Sequence, residues 1–514
     1  MVTLTHAALA VRRETTPRVV VAELDAVLAG QAAHWREPAF DEELYACHLS
    51  ATAAESPFLR LAYTSWITPA RVLDVSAATG EVHLRRETEV PGYDPADYVA
   101  ERVWAPASEP SSVTGEDVRI PVTVIRHRDV KPDGTAPCVV YGYGSYEMSM
   151  DPVLGVARLS LLDRGVVFAV AHVRGGGELG RRWYEDGKKL AKRHSFTDFV
   201  DATRHLVDLG WADPARVACM GGSAGGLLMG AVLNLAPELY RACLAVVPFV
   251  DALTTILDPE LPLSALEWEE WGNPLEDAAV YEAMRAYTPY ENVRAVDYPA
   301  IAAVTSLNDT RVHYVEPAKW VAQLRRTVTS DQATPLAEGG APILLRTEMD
   351  GGHGGASGRY QGWEDTAWEY AFLLTALATL LNVFSTRLGR VADKVDAAAA
   401  GLRTADPHEA VRLSRQLSYL RRRSFVLDGA VVLASTGAVM TGIAVLTLFV
   451  GALRDAATAS ILFACFGVAR ARLPGGRGLR LADRADRGEP PGPARGPLRD
   501  VRRPGRVLQA LRRP

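Results

Sequence analysis

Residues 216–235 read RVACMGGSAGGLLMGAVLNL: a short apolar run, then Gly221-Gly222-Ser223-Ala224-Gly225-Gly226, then a stretch of helical character. This order puts a serine in a turn between a strand and a helix. Small neighbours on both sides let the chain reverse tightly enough to lift the Ser223 hydroxyl off the end of a sheet, and they aim the next backbone N–H at a developing oxyanion. A Gly-rich turn without chemistry can be spelled with the same letters, so the reading depends on what surrounds it.

The surroundings are those of an α/β protein. From about Val118 onward, runs rich in β-branched and apolar residues (VRIPVTVIRH, APCVVYGYG, GVVFAVAHV, RVACMGG, ACLAVVPF, PAIAAVTS, PILLRTEMD) alternate with helical stretches at 195–209, 225–235 and 316–327. Continuous apolar strands between helices imply a mostly parallel, doubly wound sheet covered on both faces. Asp309 follows the strand PAIAAVTS. His353 follows PILLRTEMD, inside Asp350-Gly351-Gly352-His353-Gly354-Gly355. Nucleophile, acid and base therefore occur in the order Ser, Asp, His, each just past a strand end, which is where α/β-hydrolases assemble a triad.

Composition bounds the rest. The 514 residues are 48% hydrophobic and 23% charged, with a mean hydropathy of 0.00, enough to bury large cores in two or more domains. The net charge of −5 hides a gradient: residues 1–386 carry −18, residues 387–424 carry +5 and residues 470–514 carry +9. The acidic front part argues against a nucleic-acid partner and favours cationic ones. Cys47, Cys138, Cys219, Cys243 and Cys465 have no paired spacing, which excludes a disulfide scaffold or a Cys-based zinc module and suits a reducing interior. The N-terminus lacks the layout of a secretory signal. Residues 1–55 show no motif. Phe58 to Val90 alternates as a small antiparallel meander with a turn at Thr79-Gly80. Gly175-Gly176-Gly177 fits neither a P-loop nor a dinucleotide fingerprint, so no nucleotide, cofactor or metal is implied.

Six motifs in order, YGYGSY (141–146), HVRGGGELGRRWYEDGK (172–188), MGGSAGG (220–226), EWEEWGNP (267–274), SLNDTRV (306–312) and MDGGHGG (349–355), resemble the catalytic domain of the oligopeptidase B type in the prolyl oligopeptidase family of serine peptidases. The resemblance runs from about Glu37 to about Leu374. It implies Ser223 as nucleophile, His353 as general base and Asp309 as its orienting acid, with the Tyr143 hydroxyl joining the Ala224 N–H in the oxyanion hole. It also implies that Glu267 and Glu269 hold an Arg or Lys side chain before the scissile bond. Spacing i, i+2 converges only on extended or irregular backbone, since on a helix the two would point about 200° apart; the other reading of this acidic cluster, with Glu270, is a solvated face. Asp151 matches one carboxylate of a second basic subsite, but Val153 replaces its companion acid. The family carries a β-propeller before the hydrolase domain, acting as a lid; only its last blade is legible, at about 37–95.

After Thr386 the composition breaks. Arg387–Ser424 is basic and helical in character, and Gly429–Leu453 supplies 25 residues without a charge, long enough to span a hydrocarbon core of about 30 Å. Ala456–Ala469 is 14 residues, short for a span; Tyr370–Thr386 is 17 uncharged residues and reads as the closing amphipathic helix of the hydrolase sheet. The tail 470–514, with 13 Arg, 7 Gly and 7 Pro, reads as disordered or as a shifted reading frame. The stretch from Thr375 through the apolar span is similar to a small uncharacterised bacterial membrane-protein family. Positive-inside bias puts the 387–424 side in the cytoplasm, giving a cytoplasmic catalytic head on a membrane anchor, or else a cytoplasmic protein.

The expected organisation is 1–36 unassigned, 37–115 propeller-blade remnant and linker, 116–386 α/β-hydrolase, 387–424 basic helical segment, 425–469 membrane region and 470–514 tail. Three functions compete: a serine endopeptidase cleaving short basic peptides after Arg or Lys, an esterase or acyl hydrolase with the same triad, and a membrane protein carrying an inactive hydrolase remnant. Oligomeric state has no signature in the sequence.

Overall fold

In a computed structural model the described residues are 1–30, 34–355, 357–377 and 418. Two strands, β1 (His6–Arg13) and β2 (Thr16–Glu23), form a hairpin in the segment without a sequence motif. Their turn places Glu14 and Thr15 at φ 43° and 78°. Hairpin turns of this hand favour Asn-Gly or Asp-Gly, so Glu-Thr carries no hairpin signal. The turn is held instead by one local and one long-range side-chain bond: Arg12 donates to the Thr15 carbonyl at 2.7 Å, and Arg102 of the later strand Tyr98–Pro106 donates to Glu14 at 3.1 Å.

The meander is one strand longer than the sequence suggests. β3 (Tyr45–Leu49), β4 (Phe58–Ser65), β5 (Arg71–Ser76) and β6 (Val82–Glu87) form an antiparallel four-stranded sheet in that order. Its inward residues Tyr45, Cys47, Leu59, Leu61, Tyr63, Leu73 and Val75 bury against Ala8, Val19 and Val21 of the hairpin. The apolar face of a sheet has to be buried against another element, and the hairpin supplies that cover.

The second sheet has eight strands: β7 (Tyr98–Pro106), β8 (Arg119–His127), β9 (Cys138–Tyr141), β10 (Val167–Ala171), β11 (Val217–Gly222), β12 (Ala242–Val246), β13 (Ala300–Ser306) and β14 (Ile343–Glu348). Their order is β14-β13-β12-β11-β9-β10-β8-β7, parallel from β14 to β10 and antiparallel through β8 and β7. The stretch read as a linker thus contributes an edge strand: β7 pairs with β8 over its whole length. Period-two alternation splits each strand between two cores. Val122, Val140, Ala169, Cys219, Ala245 and Ala303 face helices Arg193–Asp208, Ala224–Leu235 and Val315–Thr327. Val139, Phe168, Val170, Leu244 and Ala302 face helix Arg359–Ala376, whose Phe372, Leu373 and Leu374 are buried, each worth about 1.5–3 kcal/mol of transfer from water. Residues 370–376 of the stretch Tyr370–Thr386 therefore belong to the closing helix of the sheet, and 378–386 lie outside the described residues.

No helix among the described residues is long and apolar enough to cross a membrane. The stretches Arg387–Ser424, Gly429–Leu453, Ala456–Ala469 and 470–514 lie outside the described residues, Ser418 excepted.

Candidate active site

Ser223 sits between β11 and the helix Ala224–Leu235, at φ 57° and ψ −119°, a conformation a serine rarely adopts. Two neighbouring glycines make it possible. A Cβ on Gly225 would lie 2.7 Å from the Gly142 carbonyl, and one on Gly226 2.4 Å from Pro248 Cα. The strained residue is clamped by backbone bonds: Ser223 N–H donates to the Val246 carbonyl at 2.9 Å, and its own carbonyl accepts from Phe249 N at 3.1 Å.

The three predicted residues meet. Ser223 Oγ lies 3.2 Å from His353 Nε2, and His353 Nδ1 lies 2.7 Å from Asp309 Oδ2. Asp309, 5% exposed, accepts the N–H groups of Arg311 (2.9 Å) and Val312 (3.0 Å) on its other oxygen. One oxygen is thus fixed by its own loop while the other orients the imidazole. The His353 loop is tied to the Asp309 loop by Leu307 N to the Glu348 carbonyl (2.8 Å), Asn308 Nδ2 to the Met349 carbonyl (3.0 Å) and a Ser306 hydroxyl bond to the Gly351 carbonyl.

Tyr143 follows β9 and lies beside the first turn of the nucleophile helix, its ring 3.4 Å from where a Gly225 Cβ would stand. Burial pushes its phenol up to about 12, against which the Ser223 hydroxyl acts, so it remains a neutral donor near the nucleophile at ordinary pH. Ala224 begins the helix, where a backbone N–H has no intrahelical acceptor. The two donors flank Ser223. The Tyr143 loop rests on a side chain that sequence reasoning missed: Lys192 Nζ, 1% exposed as a residue, donates to the Gly144 carbonyl (2.6 Å) and the Ser145 hydroxyl (2.7 Å) and pairs with buried Glu270 at 3.3 Å. Nothing in the local sequence AKRHSF separates this lysine from its charged neighbours. Gly175, at φ 96°, lets the next loop close on the same segment: a Cβ there would stand 2.2 Å from the Gly144 carbonyl. The glycine run is a packing device.

The acidic cluster differs from expectation. Ser264–Trp271 is a helix, and Glu267 and Glu269 diverge as i, i+2 positions on a helix must. Glu269 projects into solvent, its side chain 86% exposed, 3.4 Å from Lys189. Glu267 is half-buried and accepts from the Tyr146 hydroxyl (3.0 Å) and Trp271 Nε1 (2.9 Å). Burial holds its carboxyl above the usual range, against the pull of those two donors. The Tyr146 ring lies 6.4 Å from that of Tyr143, which neighbours Ser223, so Glu267 belongs to the nucleophile's surroundings, whereas Glu269 faces solvent. Asp151 is also not open: Arg12 of the hairpin pairs with it at 2.6 Å. Among the described residues no group of three His, Cys, Asp or Glu side chains is placed to hold a metal.

Behind the nucleophile, Glu316 is buried and accepts from Asp251 N (3.0 Å) and the Thr255 hydroxyl (2.7 Å), fixing the segment that carries Phe249. Burial pushes its carboxyl up to about 8. Because the folded value lies above the unfolded one, the folded state holds this proton more tightly. Stability from this group is complete at acid pH, falls as pH rises from about 4.5, the ordinary value, and is lost above about 8. Glu316→Gln, which keeps an acceptor without the charge, is expected to melt at a progressively higher temperature than the parent between pH 5 and 8. A Tm difference independent of pH would show that Glu316 is ionised without penalty.

Residues 154–379, which hold Ser223, Asp309, His353 and Glu267, match the prolyl oligopeptidase family. Residues 370–483 match a protein family of unknown function, DUF2721, so the two matches overlap on the closing helix. The chain is 48% identical to dipeptidyl aminopeptidase BI of Pseudoxanthomonas mexicana over 66% of its own length and 44% of the relative's. It is 42% identical to protease 2 of Moraxella lacunata over 66% and 47%. It therefore spans about half the length of these curated relatives. Oligopeptidase B from Leishmania major superposes with a TM-score of 0.65 at 40% identity, over 74% of this chain and 51% of that one. Oligopeptidase B from Trypanosoma brucei with covalently bound antipain gives 0.65 at 37% identity, over 73% and 51%.

Proposed function

We propose, on the premise that its hydrolase domain belongs to the prolyl oligopeptidase family of serine peptidases, that this chain hydrolyses short peptides after Arg or Lys through an acyl-enzyme. The observation that carries the reading is the continuous path from Ser223 through His353 to Asp309, at 3.2 Å and 2.7 Å. Ser223 Oγ attacks the scissile carbonyl while His353 Nε2 takes its proton. The tetrahedral oxyanion is stabilised by the Ala224 N–H and the Tyr143 hydroxyl. His353 returns the proton to the leaving amine, and a water repeats the sequence to free the acid. Asp309 holds the imidazole in the tautomer this requires.

Preference for a basic residue is supported by Glu267, a half-buried carboxylate whose neighbours Tyr146 and Trp271 fix its direction. The test is hydrolysis of arginyl, lysyl and leucyl anilides by the purified full chain. Arginyl turnover well above leucyl is the expected result, and equal turnover would favour a general acyl hydrolase.

We further propose that the catalytic head is cytoplasmic and anchored by Gly429–Leu453, the support being the nine Lys or Arg in 387–424 against one before Ala469 on the far side. Protease added to intact spheroplasts should leave the head whole until lysis. Digestion of the head in unlysed cells would reverse the topology.

A further inference from the structure

The hairpin of β1 and β2 ends on the hydrolase domain. At its tip Arg12 makes a two-pronged bond to Asp151, Nη1 to Oδ1 at 2.6 Å and Nη2 to Oδ2 at 3.2 Å, and the same Nη1 donates to the Thr15 carbonyl at 2.7 Å. Glu14, two residues on, bonds to Arg102 of β7, so the tip is tied to the hydrolase domain at a second point beside Arg12. Asp151 lies in the loop that carries Tyr143 and Tyr146, and its neighbour is fixed by the Met150 N–H donating to the Glu178 carboxylate Oε1 at 2.9 Å.

A guanidinium in this fork geometry satisfies both carboxylate oxygens at once and leaves no net charge for a second cation. The side chains are 29% and 32% exposed, so the pair adds little to stability. Its effect is on competition. A cation built into a pinned hairpin is present at an effective concentration in the millimolar range or above, which a peptide at micromolar concentration does not match through one lysine.

We propose that Arg12 is a specificity-determining residue: it occupies Asp151 as an internal counter-ion and closes the adjoining subsite to Lys and Arg, so that the enzyme does not select for paired basic residues. This rests on the peptidase reading above and on Asp151 lining the subsite before the one served by Glu267. It does not depend on Val153, whose apolar side chain in place of a second acid acts in the same direction.

The test uses the full chain carrying Ser223→Ala, so that binding is read without turnover. Calorimetry compares acetyl-Leu-Arg amide with acetyl-Lys-Arg amide. The expected result is affinities within about twofold of each other. Adding Arg12→Gln should tighten acetyl-Lys-Arg by about two- to fivefold and leave acetyl-Leu-Arg unchanged, on the scale of one partly exposed ion pair. Adding Asp151→Asn to that variant should erase the gain. A ratio unmoved by Arg12→Gln, at an unchanged melting temperature and with acetyl-Leu-Arg still bound, overturns the inference and leaves the peptidase reading standing. Failure of every form to bind either peptide overturns both. As a second measurement that does not depend on the Arg12 variant folding, Asp151→Asn alone leaves the Arg12 charge uncompensated and should weaken acetyl-Lys-Arg specifically; equal weakening of both peptides counts against the inference.

Discussion

Replacing Ser223 with Ala removes all measurable hydrolysis of an arginyl anilide, a fall of about 10⁴- to 10⁶-fold in kcat, and abolishes covalent labelling by a fluorophosphonate. The magnitude follows from the geometry. With His353 Nε2 at 3.2 Å and the imidazole held by Asp309 at 2.7 Å, the serine is the only member of the set that can form the acyl bond, so the other parts have nothing to act on once it is gone. Folding should not suffer, because alanine loses only the hydroxyl, while the φ of 57° is imposed by the clamped turn. An unchanged melting temperature therefore accompanies the loss. Labelling that persists in the variant would move the nucleophile elsewhere. A parent chain that folds cooperatively but neither labels nor turns over would revive the reading of an inactive remnant on a membrane protein.

The parts of the molecule legible in the sequence are those whose local spelling and tertiary role agree. The elbow needs glycine at 225 and 226 because a Cβ at either would strike backbone, and the eight-stranded sheet shows itself as apolar runs because both its faces are covered. Asp309 and His353 could be placed because each follows a strand by only a few residues. What could not be read has a different origin. The hairpin is stabilised by packing on β3 and by the Glu14 bond to Arg102 of β7, not by any intrinsic turn preference of Glu14-Thr15, so that dipeptide gives no signal. Lys192 acquires its role by burial against a loop 48 residues away. The divergence of Glu267 and Glu269 was legible in principle: Ser264–Trp271 contains no Gly, Pro or β-branched residue, and a helix there separates the two carboxylates. Taking the pair as convergent required an extended backbone that this composition disfavours. Asp151 illustrates the opposite limit, since no local pattern in the sequence links it to an arginine 139 positions earlier.

The second large effect expected is on substrate choice. Glu267→Gln should lower kcat/KM for an arginyl substrate by about 10²- to 10³-fold while leaving a leucyl substrate near its parent value, a range set by removing one member of a desolvated charge pair. Both protein bonds to Glu267, from Tyr146 and Trp271, go to Oε2, which leaves Oε1 as the oxygen able to meet a substrate cation. In the glutamine variant the amide oxygen can keep the two protein donors, and the NH₂ then faces the guanidinium, donor against donor. Protonation offers the same change without mutation. Because burial holds the Glu267 carboxyl above the ordinary carboxylate range, its charge is lost on acidification earlier than for an exposed glutamate. Effects of pH on the catalytic steps common to both substrates cancel in the arginyl-to-leucyl ratio. That ratio should therefore be flat at high pH and fall on acidification in the parent, and should be low and flat in Glu267→Gln. Glu269→Gln, on the solvent side of the same helix, should leave it within about twofold, as expected for an exposed group. A parent-like ratio in Glu267→Gln would remove basic specificity from this carboxylate and leave the triad serving acyl compounds of another kind.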